Sequence, residues 1–405
     1  MKTKILTLAG VRPNYTRLAA LIHLFDKGGG GIFDHVLVHT GQHFDDVLYK
    51  DFFRCLGLRM PDIDLELGRI LQKREIQDQK LQIPILLELF LECVKHVRPD
   101  LIVMSGDTNT VLASVMASRC DIPFIHIEAG LRSYDWRMPE EKNRIIIDHL
   151  ADALYCYLPE HRDILISEGI DTRRISVVGN VIVDTLRIYT PQIEQSAILA
   201  RLGVEEKNFF LCTLHREENT SSKEIFERKI CAIRDASRKY HMPVIFPLMP
   251  CTTHALENFA LRSILDDPAF IITEPLDFFD FVKLEKTARL IISDSGTVQE
   301  EALILGTPMV IARRSTERPE VLSAHSAILE GMESLNSLDN AIKKGMELPL
   351  DWDREILNPQ GGSPSERIVK DIQEKIQNDF FHVSREPVFV AYNNKRAQKA
   401  YGFPF

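Results

Sequence analysis

The sequence predicts an α/β protein with two doubly wound parallel sheets that face a central cleft. Short apolar runs alternate with helical patterns along nearly the whole chain, which is typical of parallel sheets. The chain has 405 residues, more than one core comfortably holds. The alternation also starts afresh after residue 180. We therefore expect domains at residues 1–180 and 181–365, a C-terminal helix at 366–379 that crosses back to the first domain, and a tail at 380–405 of unknown role.

The first domain is predicted to open with a strand at residues 4–10 and a helix that ends near Lys27. A long, largely helical region follows at 69–97, a small-residue helix at 111–118, and a further helix begins near Asn143. The remaining apolar runs indicate four more buried strands, at residues 35–39, 101–104, 123–127 and 154–158.

The second domain repeats this alternation. Residues 361–366 form a loop that leads to an N-capped helix with Ile368, Ile372 and Ile376 on one face. The apolar runs indicate five strands, at residues 209–214, 244–247, 270–273, 290–293 and 309–312.

One stretch of the second domain is typical of an anion site. The strand at 290–293 runs through Asp294, Ser295 and Gly296 directly into a helix. Unpaired N–H groups and the helix dipole favour an anion there, and glycine lets a phosphate approach closely. Glu301, one turn later, could accept hydrogen bonds from sugar hydroxyls. An ordinary N-cap and turn is the alternative interpretation.

The composition narrows the class of protein. Hydrophobic residues at 45% and charged residues at 26% are typical of globular proteins, and the net charge of −9 argues against binding nucleic acid or an anionic membrane. We see no apolar run of membrane-spanning length and no secretory segment, so a cytoplasmic enzyme is expected. Seven scattered cysteines without a Cys-x-x-Cys pair suggest reduced, mostly buried thiols.

Known nucleotide fingerprints are absent from the sequence. Neither half has a G-x-G-x-x-G after its first strand, and no G-x-x-x-x-G-K-[ST] occurs, which disfavours dinucleotide enzymes and P-loop NTPases. His43 and His215 lack the paired spacing of zinc sites, so no metal site is predicted. Two such domains with one anion-binding turn suggest a nucleotide-sugar enzyme that works in the cleft.

Polar residues gather where the predicted strands end, and ligands of open α/β sheets bind there. Glu128 ends a strongly apolar run, where an unpaired carboxylate would be costly. Two or three carboxylates near one histidine and an anion site suit proton transfer coupled to loss of a phosphate leaving group. The set comprises Arg12, His43, Asp107, Glu128 and Glu140 in the first half, and His215, Arg216, Glu217, Ser295 and Glu301 in the second.

Each of these residues also has a structural alternative. Asp107 could be an N-cap, and Glu140 and Glu141 could be first-turn helix carboxylates. His215 could be a core histidine bonded to a backbone carbonyl. A trio of arginines could form a solvated basic edge or part of a phosphate clamp; these are Arg313, Arg314 and Arg318.

Several short motifs along the chain match those of one known family. The chain resembles the non-hydrolysing UDP-N-acetylglucosamine 2-epimerase family over residues 3–378, and the resemblance implies two Rossmann-like domains in the GT-B fold. The matching motifs are Gly10-Val-Arg-Pro13, His39-Thr-Gly-Gln-His43, Gly106-Asp-Thr108, Glu128-Ala-Gly-Leu-Arg132, Pro139-Glu-Glu141 with Asn143-Arg144, His215-Arg-Glu-Glu-Asn219, Asp294-Ser-Gly-Thr-Val-Gln-Glu-Glu301 and Thr316-Glu-Arg-Pro-Glu320.

The resemblance implies that UDP is eliminated from the sugar to leave a 2-acetamidoglycal and then adds back with C2 inverted. Asp107, Glu128 and Glu140 are then the candidate acid/base carboxylates. His215 and Arg12 would stabilise the departing diphosphate with Ser295 and Gly296, and Glu301 would hold the ribose. Further substrate-binding candidates within the matching motifs are His43, Arg144, Arg216 and Arg318. Neither a metal nor an organic cofactor is implied, and a homodimer is the family expectation.

The chain departs from the family pattern at several positions. Asn14, Arg17, Met249 and Thr297 replace the usual glutamate, lysine, histidine and glycine. Arg17 and Thr297 resemble relatives that epimerise UDP-diacetamido-uronates or UDP-6-deoxy sugars. UDP-N-acetylglucosamine is the first-choice substrate, for surface polysaccharide synthesis. The alternatives are a modified UDP-HexNAc, a hydrolysing epimerase that releases free N-acetylmannosamine, a glycosyltransferase and a catalytically silent UDP-sugar-binding protein.

Overall fold

The computed structural model describes residues 2–41, 52–76, 79–331 and 334–383. The first part of the chain forms a seven-stranded parallel sheet in the order β3-β2-β1-β4-β5-β6-β7. Its strands are β1 (Thr3–Ala9), β2 (Phe33–His39), β3 (Ile63–Asp64), β4 (Leu101–Ser105), β5 (Phe124–Ile127), β6 (Ala153–Cys156) and β7 (Ile175–Val177), and its helices are α1 (Arg12–Asp26), α2 (Leu67–Lys73), α3 (Gln79–Val97), α4 (Ala113–Arg119), α5 (Pro139–Leu150) and α6 (Pro159–Ser167).

The second part forms a six-stranded parallel sheet in the order β10-β9-β8-β11-β12-β13. Its strands are β8 (Phe210–Thr213), β9 (Val244–Pro247), β10 (Phe270–Thr273), β11 (Leu290–Ser293), β12 (Met309–Ile311) and β13 (Ala327–Leu329). The helices are α7 (Ile182–Gln195), α8 (Ile198–Leu202), α9 (Glu217–Thr220), α10 (Lys223–Tyr240), α11 (Pro250–Asn258), α12 (Phe278–Thr287), α13 (Gly296–Leu305), α14 (Pro319–Ser323), α15 (Ser337–Met346), α16 (Pro364–Gln377) and α17 (Phe380–Val383).

These two parallel sheets confirm the predicted fold class. One buried apolar cluster runs from the first sheet through α1, α7, α12 and α13 to the second, so the two halves share packing. Helix α16 packs against α1 and α7, and its Asp371 accepts a hydrogen bond from Tyr155 of β6 at 2.7 Å. The helix therefore returns to the first sheet. The domain boundaries at residues 180 and 365 remain a prediction.

The largely helical region predicted at residues 69–97 is confirmed, and one other helix prediction was wrong in its bounds. This region is divided into two helices, α2 and α3. Glu75 lies between them with a φ of 54°, a value that a right-handed helix does not allow. The helix expected near Asn143 already begins at Pro139, because proline suits the first helical position, where its missing N–H costs nothing. Strands β3, β7 and β13 were missed, since two or three residues carry no readable period.

Strand order reverses in both sheets, and the two reversals define where a ligand can enter. In the first sheet β1 and β4 are neighbours, and their chains leave toward opposite edges; β8 and β11 form the same arrangement in the second. A crevice opens at the carboxyl ends of such strand pairs. Predicted site residues follow all four strands: Arg12, Asp107, His215 and Ser295.

No helix among the described residues has the length and apolarity needed to cross a membrane. The seven cysteines lie in described segments as free thiols, as predicted. Their burial is less complete than expected, because Cys93, Cys156 and Cys212 are buried, Cys251 is exposed, and the other three are half-buried.

Candidate active site

Glu128 is the most constrained residue of the site. It directly follows β5, its side chain is 4% exposed, and its φ is 84°, a left-handed conformation that suits glycine. Its carboxylate pairs with Arg17 through Oε2 and with Arg318 through Oε1, the latter at 2.6 Å. Burial raises the pKa of Glu128 to about 7, against the opposing effect of these two guanidinium groups. The group can therefore both release and accept a proton near neutral pH.

The two arginines at Glu128 also join the halves of the molecule. Arg17 belongs to α1, and it donates a hydrogen bond of 3.0 Å to Thr297 of α13. Glu300 of α13 lies 3.7 Å from Arg17 and 3.0 Å from Arg318. The Glu300 carboxylate also accepts a hydrogen bond of 2.9 Å from Asn180 Nδ2. The buried carboxylates and guanidinium groups between the sheets thus neutralise one another. Such pairing is needed because an unpaired buried charge is costly.

Asp107 follows β4 and is tied to α5. Arg144 lies 2.6 Å from its Oδ2 and 2.5 Å from Glu141. Burial raises the pKa of Asp107, but the Arg144 charge outweighs it, so the pKa lies below its usual value. The Asp107 side chain keeps 21% of its surface exposed. A substrate that reaches this surface would therefore meet a negatively charged carboxylate. The N-cap alternative is not supported, because the N-cap of the following turn is Thr108.

Glu140 and Glu141 are neighbours in the first turn of α5, but they differ in their surroundings. Glu141 is buried and accepts hydrogen bonds from Ser133 N and Oγ and from Tyr134 N, at 2.8 to 2.9 Å. Glu140 is half-buried, and no ion pair or hydrogen bond joins its side chain to another described residue. Glu141 therefore holds the loop after β5, while Glu140 is available to a ligand.

Asp294 anchors the loop after β8, where His215 lies. Its buried carboxylate accepts hydrogen bonds from the backbone N–H groups of His215 and Arg216 at 2.8 to 2.9 Å, and from Asn219 Nδ2 at 2.8 Å. His215 Nδ1 lies 3.0 Å from the same carboxylate. Burial opposes ionisation, but the imidazole and these donors hold the pKa of Asp294 well below its usual value. The His215 ring thus lies with Nδ1 against the Asp294 carboxylate, and it stays half-exposed.

The predicted turn from strand to helix at Ser295 is present, and its anion binding stays a prediction. Ser295 is the N-cap of α13, and its side chain makes no capping hydrogen bond, so the first N–H groups of the helix are left for another acceptor. A Cβ at Gly296 would lie 2.9 Å from both Arg318 Nη1 and Glu317 Oε1, so a larger residue there would displace them. Ser295 therefore occupies the N-cap position without a side-chain cap, and Asp294 serves the loop after β8 instead.

The three arginines after β12 have different surroundings. Arg313 is fully buried, 2.9 Å from Glu317 and 3.4 Å from Glu218, and Arg318 is buried as described. Only Arg314 among the three is exposed. The solvated-edge alternative was therefore wrong for two of them. Glu317, which also lies 3.8 Å from Arg144, connects this cluster to Asp107.

Glu301 of α13 is buried, and so is Glu285 of the neighbouring helix α12. Burial raises the pKa of Glu301 to about 7, with a further contribution from the charge of Glu300. Arg12 begins α1 with its guanidinium 5.4 Å from the ring centre of Phe52. His43 lies outside the described residues. Within the described part of the chain, no group of three or more His, Cys, Asp or Glu is placed to hold a metal ion.

The structure brings most of the predicted residues together and adds others. Asp107, Glu128, His215, Arg144, Arg216, Ser295, Gly296 and Arg318 lie around the two strand reversals. Glu300 and Glu317 were missed, and Asp294 was seen only as part of a turn. One signal could have shown them: acidic and basic residues adjacent to motif residues within apolar helices.

Comparison with known proteins gives a consistent result. The family model described as UDP-N-acetylglucosamine 2-epimerase matches residues 30–372. A UDP-N-acetylglucosamine 2-epimerase of Methanococcus maripaludis is 37% identical over 375 residues, which is 91% of this chain and 98% of that protein. The UDP-2,3-diacetamido-2,3-dideoxy-D-glucuronate 2-epimerase of Pseudomonas aeruginosa is 32% identical over 343 residues, 81% of this chain and 88% of that one.

Among solved structures, the UDP-GlcNAc 2-epimerase of Methanocaldococcus jannaschii in complex with UDP-GlcNAc and UDP has a TM-score of 0.84. It is 33% identical, and the match covers 92% of this chain and all of that one. The enzyme of Neisseria meningitidis bound to UDP-GlcNAc has a TM-score of 0.77 at 25% identity, covering 92% of this chain and all of that one. Sequence and fold therefore agree, and the chain belongs to the UDP-N-acetylglucosamine 2-epimerase family.

Proposed function

We propose that the chain inverts C2 of a UDP-N-acetylhexosamine, converting UDP-N-acetylglucosamine to UDP-N-acetylmannosamine and back. The observation that carries the proposal is Glu128, a buried carboxyl group with a pKa of about 7 at the strand reversal, between two cations. It occupies the point where a sugar between the two halves would meet an acid or base. Family membership supports the same chemistry.

The C2 proton is not next to a carbonyl and is poorly acidic, so its removal must accompany C1–O cleavage. A carboxylate takes the proton from C2, the C–H electron pair forms the C1=C2 double bond, and the C1–O pair leaves with UDP. A UDP oxygen then re-adds to C1 of the glycal, and a proton reaches C2 on the opposite face. Asp107, Glu128 and Glu140 are the candidate proton carriers, because inversion requires one group on each face.

The remaining residues fit a nucleotide diphosphate. His215 and Arg12, with Ser295 and Gly296 at the start of α13, would stabilise the negative charge that develops on the departing UDP. Further substrate contacts come from the other predicted binding residues, which are His43, Arg144, Arg216, Glu301 and Arg318. Closure of the two halves would exclude water and keep the glycal from being lost.

A modified UDP-HexNAc is a second candidate substrate. The Pseudomonas aeruginosa relative, named for a diacetamido-glucuronate, is 32% identical over most of this chain. Arg17 donates a hydrogen bond to the Thr297 hydroxyl beside Glu128, so two of the departures from the family pattern contact each other. Substrate tests should therefore include UDP-diacetamido-uronates and UDP-6-deoxy-HexNAc sugars.

The experiment is NMR of the protein with UDP-N-acetylglucosamine in deuterated water. Deuterium at C2 with accumulating UDP-N-acetylmannosamine is the expected result. Free N-acetylmannosamine with UDP would instead identify the hydrolysing type, and transfer to an added acceptor a glycosyltransferase. If UDP binds but neither UDP-HexNAc nor its modified forms exchange, the chain is a silent binding protein, and the proposal is refuted.

Partners and location follow from the same resemblance. We propose a UDP-sugar as the ligand, a homodimer in solution and a cytoplasmic location. Light scattering on the purified chain and fractionation of the source cells test the last two statements.

A further inference from the structure

His126 is a buried histidine within the apolar strand β5. It has no exposed surface, and the residues paired with it on the neighbouring strands are Met104 and Leu154. A polar ring costs free energy at such a position unless hydrogen bonds satisfy it. Even a paired buried charge is often no more stabilising than apolar residues of similar size, so stability alone does not account for this histidine.

Both ring nitrogens of His126 face acceptors. Nδ1 lies 2.6 Å from Oδ1 of Asp148 on α5, and Nε2 lies 3.0 Å from the backbone carbonyl oxygen of Gly106. A carbonyl oxygen cannot donate a hydrogen bond, and neither can an ionised carboxylate, so each contact needs a proton on the ring. A neutral imidazole has one such proton, whereas an imidazolium has two. With Asp148 ionised, the geometry therefore requires the imidazolium.

Asp148 is ionised, because donors surround its carboxylate. Oδ2 accepts hydrogen bonds from Arg132 at 2.7 Å and from the backbone N–H of Gly130 at 3.1 Å. Burial opposes ionisation, but the charges of His126 and Arg132 hold the pKa of Asp148 below its usual value. Arg132 also donates two hydrogen bonds to Glu168, at 2.8 and 2.9 Å. One guanidinium thus faces two carboxylates, and the imidazolium supplies the second positive charge.

These contacts hold the two backbone segments that bear candidate proton carriers. The carbonyl of Gly106 shares a planar peptide unit with the N–H of Asp107, so a bond to it fixes the backbone from which the Asp107 side chain extends. The Gly106 N–H also donates to a carbonyl of β5, at 3.3 Å. On the other side, Asp148 accepts the N–H of Gly130, two residues after Glu128.

We propose that His126 is a positioning residue, a buried imidazolium that donates from both ring nitrogens and holds Asp107 and Glu128 in one arrangement. The inference rests on the proposed function, in which these two carboxyl groups are candidate proton carriers at C2 of the sugar. Because His126 has no exposed surface, it acts through the two backbone segments. A misplacement of about 1 Å in a reacting group can slow a reaction about a hundredfold, so this support matters for catalysis.

The first measurement counts the protons on the ring in the wild-type protein. Heteronuclear NMR of protein with isotope-labelled histidine distinguishes ring nitrogens with a bonded hydrogen from those without one. The signals that are absent from His126→Gln belong to His126. We expect both ring nitrogens of His126 to carry a hydrogen at neutral pH, and a ring with a single bonded hydrogen overturns the inference.

The second measurement compares the kinetics of C2 deuterium exchange for the wild type, His126→Gln and His126→Phe. Phenylalanine keeps a ring without donors, so kcat should fall about a hundredfold. KM for the UDP-sugar should stay within about threefold, because the proposed diphosphate contacts at His215 and Ser295 follow strands of the second sheet. Glutamine retains one donor group and should lower kcat only about tenfold.

His35→Gln is the matched control. The His35 side chain is likewise buried, with Nδ1 2.6 Å from Asp26 and Nε2 2.9 Å from the hydroxyl of Thr7. These partners lie on α1 and β1 rather than on the segments of Asp107 and Glu128, so kcat should not change. Urea unfolding checks that each variant is folded. If His126→Phe does not fold, the glutamine variant and the proton count still decide.

The outcomes separate the inference from the function on which it rests. A folded His126→Phe with wild-type kcat overturns the inference and leaves the epimerase proposal intact, and so does a rise in KM with kcat unchanged. An equal loss of kcat in His35→Gln overturns it as well. If the wild type exchanges the C2 proton of no UDP-HexNAc, the proposed function fails whatever the proton count of the ring, and the positioning role fails with it.

Discussion

Replacing Asp294 with asparagine should loosen the whole His215 loop. The Asp294 carboxylate is fully buried and accepts hydrogen bonds from two backbone N–H groups and from Asn219, with the His215 ring 3.0 Å away. Asparagine keeps one oxygen and turns the other acceptor into an NH2 group that faces donors. Hydrogen bonds to a charged acceptor contribute about 1.5–3 kcal/mol each, so we expect the free energy of unfolding to fall by about 2–4 kcal/mol.

The same change removes the negative charge beside the imidazole. His215 would then be held less firmly, and stabilisation of the departing diphosphate should weaken, lowering kcat about a hundredfold. The pKa of Asp294 is depressed in the folded state, so its contribution to stability is present above its unfolded pKa and lost as pH falls below it. Asp294→Asn should therefore unfold with a flatter dependence on pH in the acid range.

Urea unfolding at several pH values, with steady-state kinetics, measures both effects. Asp171→Asn is the matched control, because Asp171 forms its ion pair with Arg173 on the surface and should change the free energy of unfolding by less than about 1 kcal/mol. An Asp294→Asn protein with wild-type stability and wild-type kcat would show that this carboxylate does not hold the loop.

Glu128→Ala should keep UDP binding within a few-fold while C2 deuterium exchange falls at least about a thousandfold, and retained exchange would remove Glu128 from the mechanism. For Glu140→Gln the free energy of unfolding should stay within about 0.5 kcal/mol of the wild type, while C2 deuterium exchange should slow at least about a hundredfold. Glu141→Gln should instead lower the free energy of unfolding by about 2 kcal/mol, because Glu141 accepts three hydrogen bonds from the loop after β5. Identical behaviour of the two variants would contradict the different surroundings of these neighbours. Arg318→Met leaves Glu128 and Glu300 short of a cation and should cost about 3–5 kcal/mol in urea unfolding, and an unchanged midpoint would refute the charge balance.

The fold could be predicted because parallel strands are buried on both faces and so appear as apolar runs. Residues 244–247, 270–273 and 290–293 were predicted with the bounds that the structure shows. Polar residues that directly follow these buried strands lie at one edge of the sheet. The carboxyl ends of the strands therefore indicated the position of the candidate site. Helix α5 was started too late, because its polar first turn follows Pro139 and shows no apolar period.

The partners within the site could not be predicted in this way. Arg17 and Glu128 are 111 residues apart in the chain, and they meet only because β1 and β4 lie side by side with β5 beyond them. Glu285 and Glu301 are both buried, on the neighbouring helices α12 and α13. Helical periodicity would place both on a buried face, but it contains no information about which charged residue of one helix faces which residue of another.

The left-handed backbone at Glu128 has a consequence for how this family could change over time. A non-glycine residue in that conformation costs about 1 kcal/mol or more, and its carboxyl group is buried as well, so the chain gives up stability at a residue proposed to carry a proton. Glycine at position 128 would relieve the backbone, but it would also leave Arg17 and Arg318 without the carboxylate that pairs with them, which costs more than the relief returns. Among distant relatives, loss of this carboxylate should therefore be accompanied by loss of the two arginines.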